Sequence, residues 1–191
     1  MREKSGSLKA KLKNYTIYFI KEIIPVTVGI LIALSIGNWN QKKTDRKYMN
    51  EVFSLINNEL EATLEDIDWV MPRQEKLMDS LEFYSEDNGI SVLQVVKKAG
   101  GIHIADVKTN AWRALSSTKM ELVDYERLSY LSAIDEQKDV LKMKSQILSN
   151  FIYPNLNITD SDGKETLMLM MKDVIGTEKA VRGLIEEFKE I

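Results

Sequence analysis

The sequence predicts an all-α protein, in which one N-terminal transmembrane helix is followed by a soluble domain that forms an antiparallel helical bundle. Three observations support this prediction. An uncharged apolar run lies near the N-terminus, the net charge changes sign after it, and apolar residues then recur at steps of three and four. Steps of that size place apolar side chains on one face of a helix, where a neighbouring helix can cover them.

The apolar run extends from Ile23 to Ile36 and contains 14 residues without a charge. A helix of that length covers about 21 Å, which is less than the roughly 30 Å hydrocarbon core of a bilayer. Aromatic residues typical of membrane interfaces flank the run at Tyr15, Tyr18 and Trp39. From Tyr15 to Trp39 a helix covers about 37 Å, so this longer segment spans a bilayer with some tilt.

Two alternatives to a transmembrane helix exist. A cleaved signal peptide also begins with basic residues and continues with an apolar run. However, residues 34–37, Leu-Ser-Ile-Gly, do not make a convincing small-x-small cleavage site, and Lys42 and Lys43 follow closely. A buried helix of a soluble core is the second alternative, and it leaves the change of charge along the chain unexplained.

The two parts of the chain carry opposite net charges. Residues 1–47 contain ten Lys and Arg against three Asp and Glu, a net charge of +7, whereas residues 48–191 carry −10. Anionic lipid headgroups attract the basic part, which flanks the apolar run. The acidic part is not suited to nucleic acid, because a phosphate backbone requires a basic surface. The predicted partner is therefore the lipid bilayer, and nucleic acid is excluded.

Residue types that support catalysis or metal binding are scarce. There is no cysteine, which excludes disulfides and Cys-ligated metals, and the single histidine, His103, excludes two-histidine sites. A Ser/His/Asp triad would need a nucleophile elbow, and no Gly-x-Ser-x-Gly motif occurs. Residues 160–163, Asp-Ser-Asp-Gly, resemble the start of a calcium loop but lack its full ligand spacing. We therefore predict no enzyme activity, no metal and no cofactor.

Two charged residues, Lys21 and Glu22, lie at the N-terminal edge of the apolar run. Neighbours in a helix do not face each other, so these two side chains do not readily pair. In one register they lie at the headgroups, and Pro25 falls in the first turn of the spanning helix, where its missing N–H does no harm. In the other register the span begins near Tyr15 and Glu22 is immersed, where a carboxylate needs a partner or water. We favour the interfacial register.

The orientation follows only weakly from the basic residues, since five precede the span and four follow it within a dozen positions. We predict a cytoplasmic N-terminus, because the leading segment is too short to be a folded domain and a long domain is translocated regardless of its charge. The predicted organisation is a basic cytoplasmic segment at 1–14, a transmembrane helix at 15–40 and a helical periplasmic domain at 41–191.

Residues 18–40, YFIKEIIPVTVGILIALSIGNWN, resemble an uncharacterised family of bacterial single-pass inner-membrane proteins, a domain of unknown function. That family has a basic start, a Tyr, a Gly-Glu-Ile step, a Gly-Ile-Leu-Ile-Ala-Leu core and a closing Asn-Asn-Trp-Asn. The matching residues are Glu22, Ile23, the run at 29–34 and Asn38-Trp39-Asn40. The departures are Lys21 for Gly, Pro25 for an aliphatic residue and Gly37 for Asn.

A second stretch, TNAWRALSS at residues 109–117, is similar to the family's Thr-Ala-Trp-x-x-Leu-x-Ser-Ser. Together the two stretches extend the resemblance over most of the chain. The resemblance implies a Gram-negative inner-membrane protein with no assigned reaction. It supports the architecture and adds no chemistry.

The first helix of the soluble domain is predicted to continue directly from the span, and Pro72 is predicted to end or kink it. A separate helix is predicted from about 73 to 84. The apolar seam of the first helix comprises Val52, Ile56, Leu60, Thr63, Ile67 and Val70.

The remaining helices follow from caps and stops. Thr109 or Asn110 can cap a short helix, Asp124 is a plausible N-cap for a long one, and Pro154 stops that helix. The predicted helices lie at about 91–98, 110–115, 125–153 and 164–188, and Gly100-Gly101 closes the first of them.

Self-association is the favoured functional prediction. We predict a membrane-anchored interaction or scaffold protein, either a homo-oligomer or a subunit of a membrane complex. Gly29, Ala33 and Gly37 run down one helix face at steps of four, which permits close helix–helix approach. Two alternatives are an ion- or proton-coupled subunit of a membrane machine that uses Glu22, and a periplasmic ligand-sensing domain.

Overall fold

The computed structural model describes residues 3–191, with side chains from residue 18 onward. Five α-helices and one 3₁₀ turn (Met120–Leu122) are joined by loops, and no strand occurs within residues 3–191. The all-α prediction is therefore confirmed. The helices are α1 (Glu3–Phe83), α2 (Val92–Ala99), α3 (Asn110–Ser116), α4 (Tyr125–Asn155) and α5 (Ser161–Phe188).

α1 is a continuous helix of 81 residues that does not end at Pro72. The predicted end there was wrong, and the separate helix predicted at 73–84 is the last part of α1. Proline at this position removes the N–H that would bond to the carbonyl of Asp68. Both residues are exposed, so water can satisfy that carbonyl, while the buried face of the helix holds α1 together on either side.

A compact domain extends from Glu51 to Ile191, and the earlier part of α1 forms a unit of its own. Buried residues of the domain recur at alternating steps of four and three in both α1 and α5. This period of 3.5 residues is that of helices that pack along a shared seam. The seam residues are Ile56, Leu60, Thr63, Ile67, Val70, Gln74, Leu77 and Leu81 in α1, and Leu167, Met171, Val174, Glu178, Val181, Ile185 and Phe188 in α5.

α5 runs antiparallel to α1. Gln74 Nε2 donates to Glu178 Oε2 at 2.7 Å. Glu61, which is earlier in α1, pairs at 3.5 Å with Lys189, just after the end of α5. The two contacts together fix the register of the two helices.

α4 runs parallel to α1, because it is antiparallel to α5. Lys144 Nζ donates to the carbonyl of Asp173 in α5 at 3.1 Å. At the other end of α4, the Arg127 guanidinium lies 5.0 Å from the ring centroid of Phe53, near the start of the domain. Two consecutive long helices that run in the same direction require the chain to return between them, and residues 84–124 make this return.

Side-chain caps begin the two later helices. Asp124, the predicted N-cap of α4, accepts a hydrogen bond from the Arg127 N–H at 2.9 Å, which confirms that prediction. Asp160 caps α5 in the same way, through the Gly163 N–H at 2.7 Å. The sequence at 160–163 is thus the cap and first turn of a helix.

Lys164 is a buried charge in the first turn of α5, with a relative exposure of 0%. Its Nζ donates to the carbonyl of Asp87 at 2.6 Å and to the carbonyl of Thr159 at 2.8 Å. A buried ammonium requires such partners, because its removal from water is unfavourable. Lys164 therefore connects the loop after α1 to the loop before α5.

We expect Lys164→Met to lower the free energy of unfolding by about 2–3 kcal/mol, because two partly buried carbonyls lose a charged donor. Urea denaturation of the full-length protein in detergent, followed by tryptophan fluorescence, measures the change. Lys142→Met is the matched control, since Lys142 is exposed on α4, and its effect should stay below about 0.5 kcal/mol. Equal effects of the two substitutions would contradict the assigned role of Lys164.

Candidate functional site

Residues 101–109, which we call the return strap, run back along α1 between α2 and α3 without helical structure. The strap follows Gly100, whose φ of 98° lies in the left-handed region that glycine adopts without strain. Ala105, Val107 and Thr109 are buried and alternate with residues that are more exposed. A period of two is that of an extended chain with one face covered.

Side chains of the long helices form hydrogen bonds with four backbone groups of the return strap. An extended segment normally pairs with a neighbouring strand, and no strand occurs within residues 3–191. Buried backbone groups must still find partners. The bonds are Ala105 N–H to Glu178 Oε1 (2.7 Å), Asp106 N–H to Asp66 Oδ2 (2.6 Å), Lys108 N–H to Thr63 Oγ1 (3.0 Å) and Gln74 Nε2 to the His103 carbonyl (3.0 Å).

Three of these partners are the polar members of otherwise apolar seams. Thr63, Gln74 and Glu178 have relative exposures of 0%, 1% and 1%. A buried polar group without a hydrogen bond is destabilising by roughly 1–3 kcal/mol, so a polar residue in a seam needs a partner. The return strap supplies partners to all three, and the Gln74–Glu178 bond joins them across the two helices.

The far end of the strap is attached to α4. The Thr109 hydroxyl donates to Asp135 Oδ1 at 2.6 Å, and Arg113 Nε donates to the same oxygen at 2.6 Å. Lys138 Nζ donates to Thr109 Oγ1 at 3.2 Å. Thr109 occupies the N-cap position of α3, but its side chain makes no capping bond because it is bonded to α4 instead. The strap thus contacts all three long helices.

His103 lies in the strap, and the structure does not join it to a serine. Its Nε2 lies 3.1 Å from the carbonyl of Gly100, and its ring meets the ring of Trp69 edge-on at 5.2 Å. The hydroxyls of Ser116 and Ser117 donate to carbonyls of α3. Among the described residues there is no group of three His, Asp or Glu that could hold a metal ion.

The apolar part of α1 contains one stretch that is long and apolar enough to cross a membrane, and none of its most apolar 18-residue window is buried. Tyr18 and Trp39, the predicted interfacial anchors, are 64% and 68% exposed. The side chain of the third anchor, Tyr15, lies outside the described residues, as do those of the predicted basic segment at 1–14.

Gly29, Ala33 and Gly37 are exposed on this part of α1. A Cβ added at Gly29 or Gly37 would meet no atom within 4 Å, so packing among the described residues requires neither glycine. The three positions follow one another at steps of four residues, on one side of the helix. They present a surface that another helix can approach closely.

Lys21 and Glu22 are exposed on the same helix. Because α1 begins at Glu3, Pro25 lies within the helix and not in its first turn, so that part of the interfacial interpretation was wrong. The missing N–H of Pro25 leaves the carbonyl of Lys21 without its intrahelical donor. A polar backbone group therefore lies next to the two charged side chains.

Comparison of the chain with protein-family models, with curated proteins and with solved structures finds no match. The resemblance of residues 18–40 to a bacterial membrane family therefore stays a prediction. The function must be inferred from the residues and the geometry of this chain.

The sequence alone does not identify Gln74 or Glu178 as partners of the return strap. A signal was present, because both lie at seam positions, where the alternating steps of four and three call for an apolar residue. A polar residue at such a position predicts a buried hydrogen bond. It does not reveal the partner, which is a backbone group of the return strap.

Burial raises the pKa of Glu178, and the hydrogen bonds from Ala105 and Gln74 offset this only in part. A carboxyl whose pKa is higher in the folded than in the unfolded state contributes most to stability at low pH. That contribution is lost as the pH rises through the folded-state pKa.

We therefore expect the wild type to lose stability relative to Glu178→Gln as the pH rises above 4.5, the ordinary value for glutamate. Urea denaturation of both proteins at a series of pH values measures the difference in unfolding free energy. Glu165→Gln is the control, because Glu165 is exposed on α5. A wild type that gains stability relative to Glu178→Gln with rising pH would contradict the assignment.

Proposed function

We propose that this chain is a membrane-anchored interaction protein that self-associates, with the apolar part of α1 crossing a bacterial inner membrane. In this proposal the N-terminus is cytoplasmic and the helical domain is periplasmic. The partners are the lipid bilayer and further copies of the chain, and the protein is a scaffold without catalytic activity. The observation that carries the proposal is the exposed apolar window of α1.

A bilayer accounts for the exposure of this window. Ile30, Leu31 and Leu34 are 56%, 57% and 58% exposed. Contact of such surface with water is unfavourable by about 25 cal/mol per Å², and soluble proteins rarely expose a large contiguous apolar patch. A core helix of a soluble protein would bury this surface in its own domain, whereas lipid covers it without any further protein.

The domain supports an interaction role. The polar groups in its seams are committed to the return strap, and the described residues contain no metal-binding cluster. Outside the domain, the apolar part of α1 offers the small-residue face at Gly29 and Gly37, where no described residue requires a glycine. In membranes, a face of small residues typically allows a second helix to approach closely.

An alternative function is a proton- or ion-coupled subunit that uses Glu22. The carboxyl is exposed at the edge of the apolar window, beside a backbone carbonyl that Pro25 leaves unpaired. An immersed carboxylate of this kind typically serves an ion path. Loss of complementation of a null strain by Glu22→Gln would favour this alternative, and full complementation would exclude it.

We expect the full-length protein to stay in the membrane pellet after an alkaline carbonate wash, with its N-terminus intact by mass spectrometry. Ile30→Lys combined with Leu34→Lys should release it, because each charge in mid-helix is unfavourable by about 2.5–3.5 kcal/mol. Gln146→Lys combined with Asn150→Lys is the matched control on the exposed face of α4 and should not.

Two results would contradict the proposed anchor. A wild-type protein found in the wash supernatant would show that lipid does not hold the helix. A chain cleaved near residues 34–37 would show that the apolar run is a signal peptide.

A further inference from the structure

A groove of about 350 Å³ lies between α1 and α5 on the surface of the domain. Its residues repeat at steps of three and four on both helices, so the groove follows the helix axes. Its apolar residues are half-buried, and charged residues form its two edges. The lining residues are Met71, Gln74, Glu75, Met78 and Asp79 from α1, and Lys172, Ile175, Gly176 and Lys179 from α5.

The two edges of the groove have opposite charges. Glu75 and Asp79 lie on the α1 edge, and Lys172 and Lys179 lie on the α5 edge. All four are exposed, and none forms an ion pair within 4 Å with another described residue. The charges therefore face each other across the groove without contact, which leaves them available to a partner.

The register of the helices places these charges at matching levels. Asp79 lies five residues after Gln74, and Lys172 lies six residues before its bonded partner Glu178 on the antiparallel helix. Asp79 and Lys172 are therefore level to within about one residue, or ~1.5 Å of helix rise. By the same count Glu75 lies within about two residues, roughly 3 Å, of the level of Lys179.

The floor of the groove is open to a partner. Gly176 is exposed in the interior of α5, and a Cβ there would meet no described atom within 4 Å. Glycine is disfavoured inside a helix, and packing within this chain gives no reason for it. Gln74, also in the floor, has a buried Oε1 that no described residue bonds. A partner that packs here finds space above Gly176, while the Gln74 oxygen lies beneath the groove surface.

We propose that this groove is the contact between two copies of the chain, which meet face to face about a two-fold axis parallel to α1. Rotation about that axis places the acidic edge of one copy over the basic edge of its partner. Because the axis preserves the level along the helices, Asp79 of each copy then meets Lys172 of the other. Complementary charges at the flanks of an apolar seam set partner orientation in paired helices.

The charges favour this axis over the other two-fold axis that would bring the two grooves together. The alternative two-fold axis runs across the groove, at right angles to the helices. It would place the two acidic edges over each other and the two basic edges over each other, which is repulsive. Within the two domains, the parallel axis also leaves the α1 segments from Glu51 onward running in the same direction. The inference deepens the proposed function and rests on it, since anchoring supplies the high effective concentration at which a short contact is populated.

Cysteine cross-linking in membranes tests the axis directly, because the chain contains no cysteine. Differently tagged chains carrying Asp79→Cys and Lys172→Cys are co-expressed at full length and treated with a short bis-maleimide. We expect a mixed dimer, and little product from either variant with itself. The control pair, Lys142→Cys with Ser149→Cys, lies on the exposed face of α4 and should give none.

Charge reversal supplies a second, independent measurement. In detergent, Asp79→Lys and Lys172→Asp should each weaken dimerisation of the full-length protein by about tenfold or more, because two like-charge contacts replace two attractive ones. The double variant restores the pairs with reversed sign, so its association should return to near the wild-type level. Light scattering or sedimentation measures the dissociation constant.

The outcomes separate this inference from the proposed function. If both charge reversals leave the dissociation constant of the dimer unchanged and no Asp79–Lys172 cross-link forms, the groove contact is overturned. Self-association is then still supported. A strictly monomeric wild type, unchanged by Gly29→Leu with Ala33→Leu, would overturn both. A cross-linked dimer formed by Asp79→Cys with itself would show that the copies meet about the axis that runs across the groove.

Discussion

The backbone of the return strap needs hydrogen-bond partners, and the organisation of the domain depends on this requirement. Since α1 and α4 run in the same direction, the chain has to travel back along the domain, and residues 101–109 do so as an extended segment. Each buried N–H and C=O on that path must be paired within the protein. Thr63 and Gln74 of α1 and Glu178 of α5 provide three such pairs from seam positions, where an apolar side chain would otherwise pack.

The same bonds determine how α1 and α5 are aligned. Gln74 and Glu178 bond each other and also bond the strap, so a shift of either helix by one turn would break several bonds together. Their alignment places Asp79 level with Lys172 on the groove surface. The proposed contact between copies therefore depends on a polar network that lies beneath it, in the interior of the domain.

Local patterns were sufficient to predict the helices, and distant contacts were not predictable. The apolar seam around Ile56 and Leu60 and the Asp124 cap depend on neighbours within a few residues, so the sequence shows them directly. The helix end predicted at Pro72 was wrong, because burial of the opposite face of α1 outweighs the local effect of the proline. Glu178 could not be placed, because its partners Ala105 and Gln74 lie 73 and 104 residues away along the chain and meet only after folding.

Amide hydrogen exchange of the full-length protein in detergent tests the central claim, that helix side chains lock the strap, most directly. The amides of Ala105 and Lys108 should exchange more slowly than the exposed loop amide of Asn157, by on the order of 100-fold or more. Such protection would show that bonds to Glu178 and Thr63 persist in solution. Exchange of the strap amides as fast as that of Asn157 would contradict the claim.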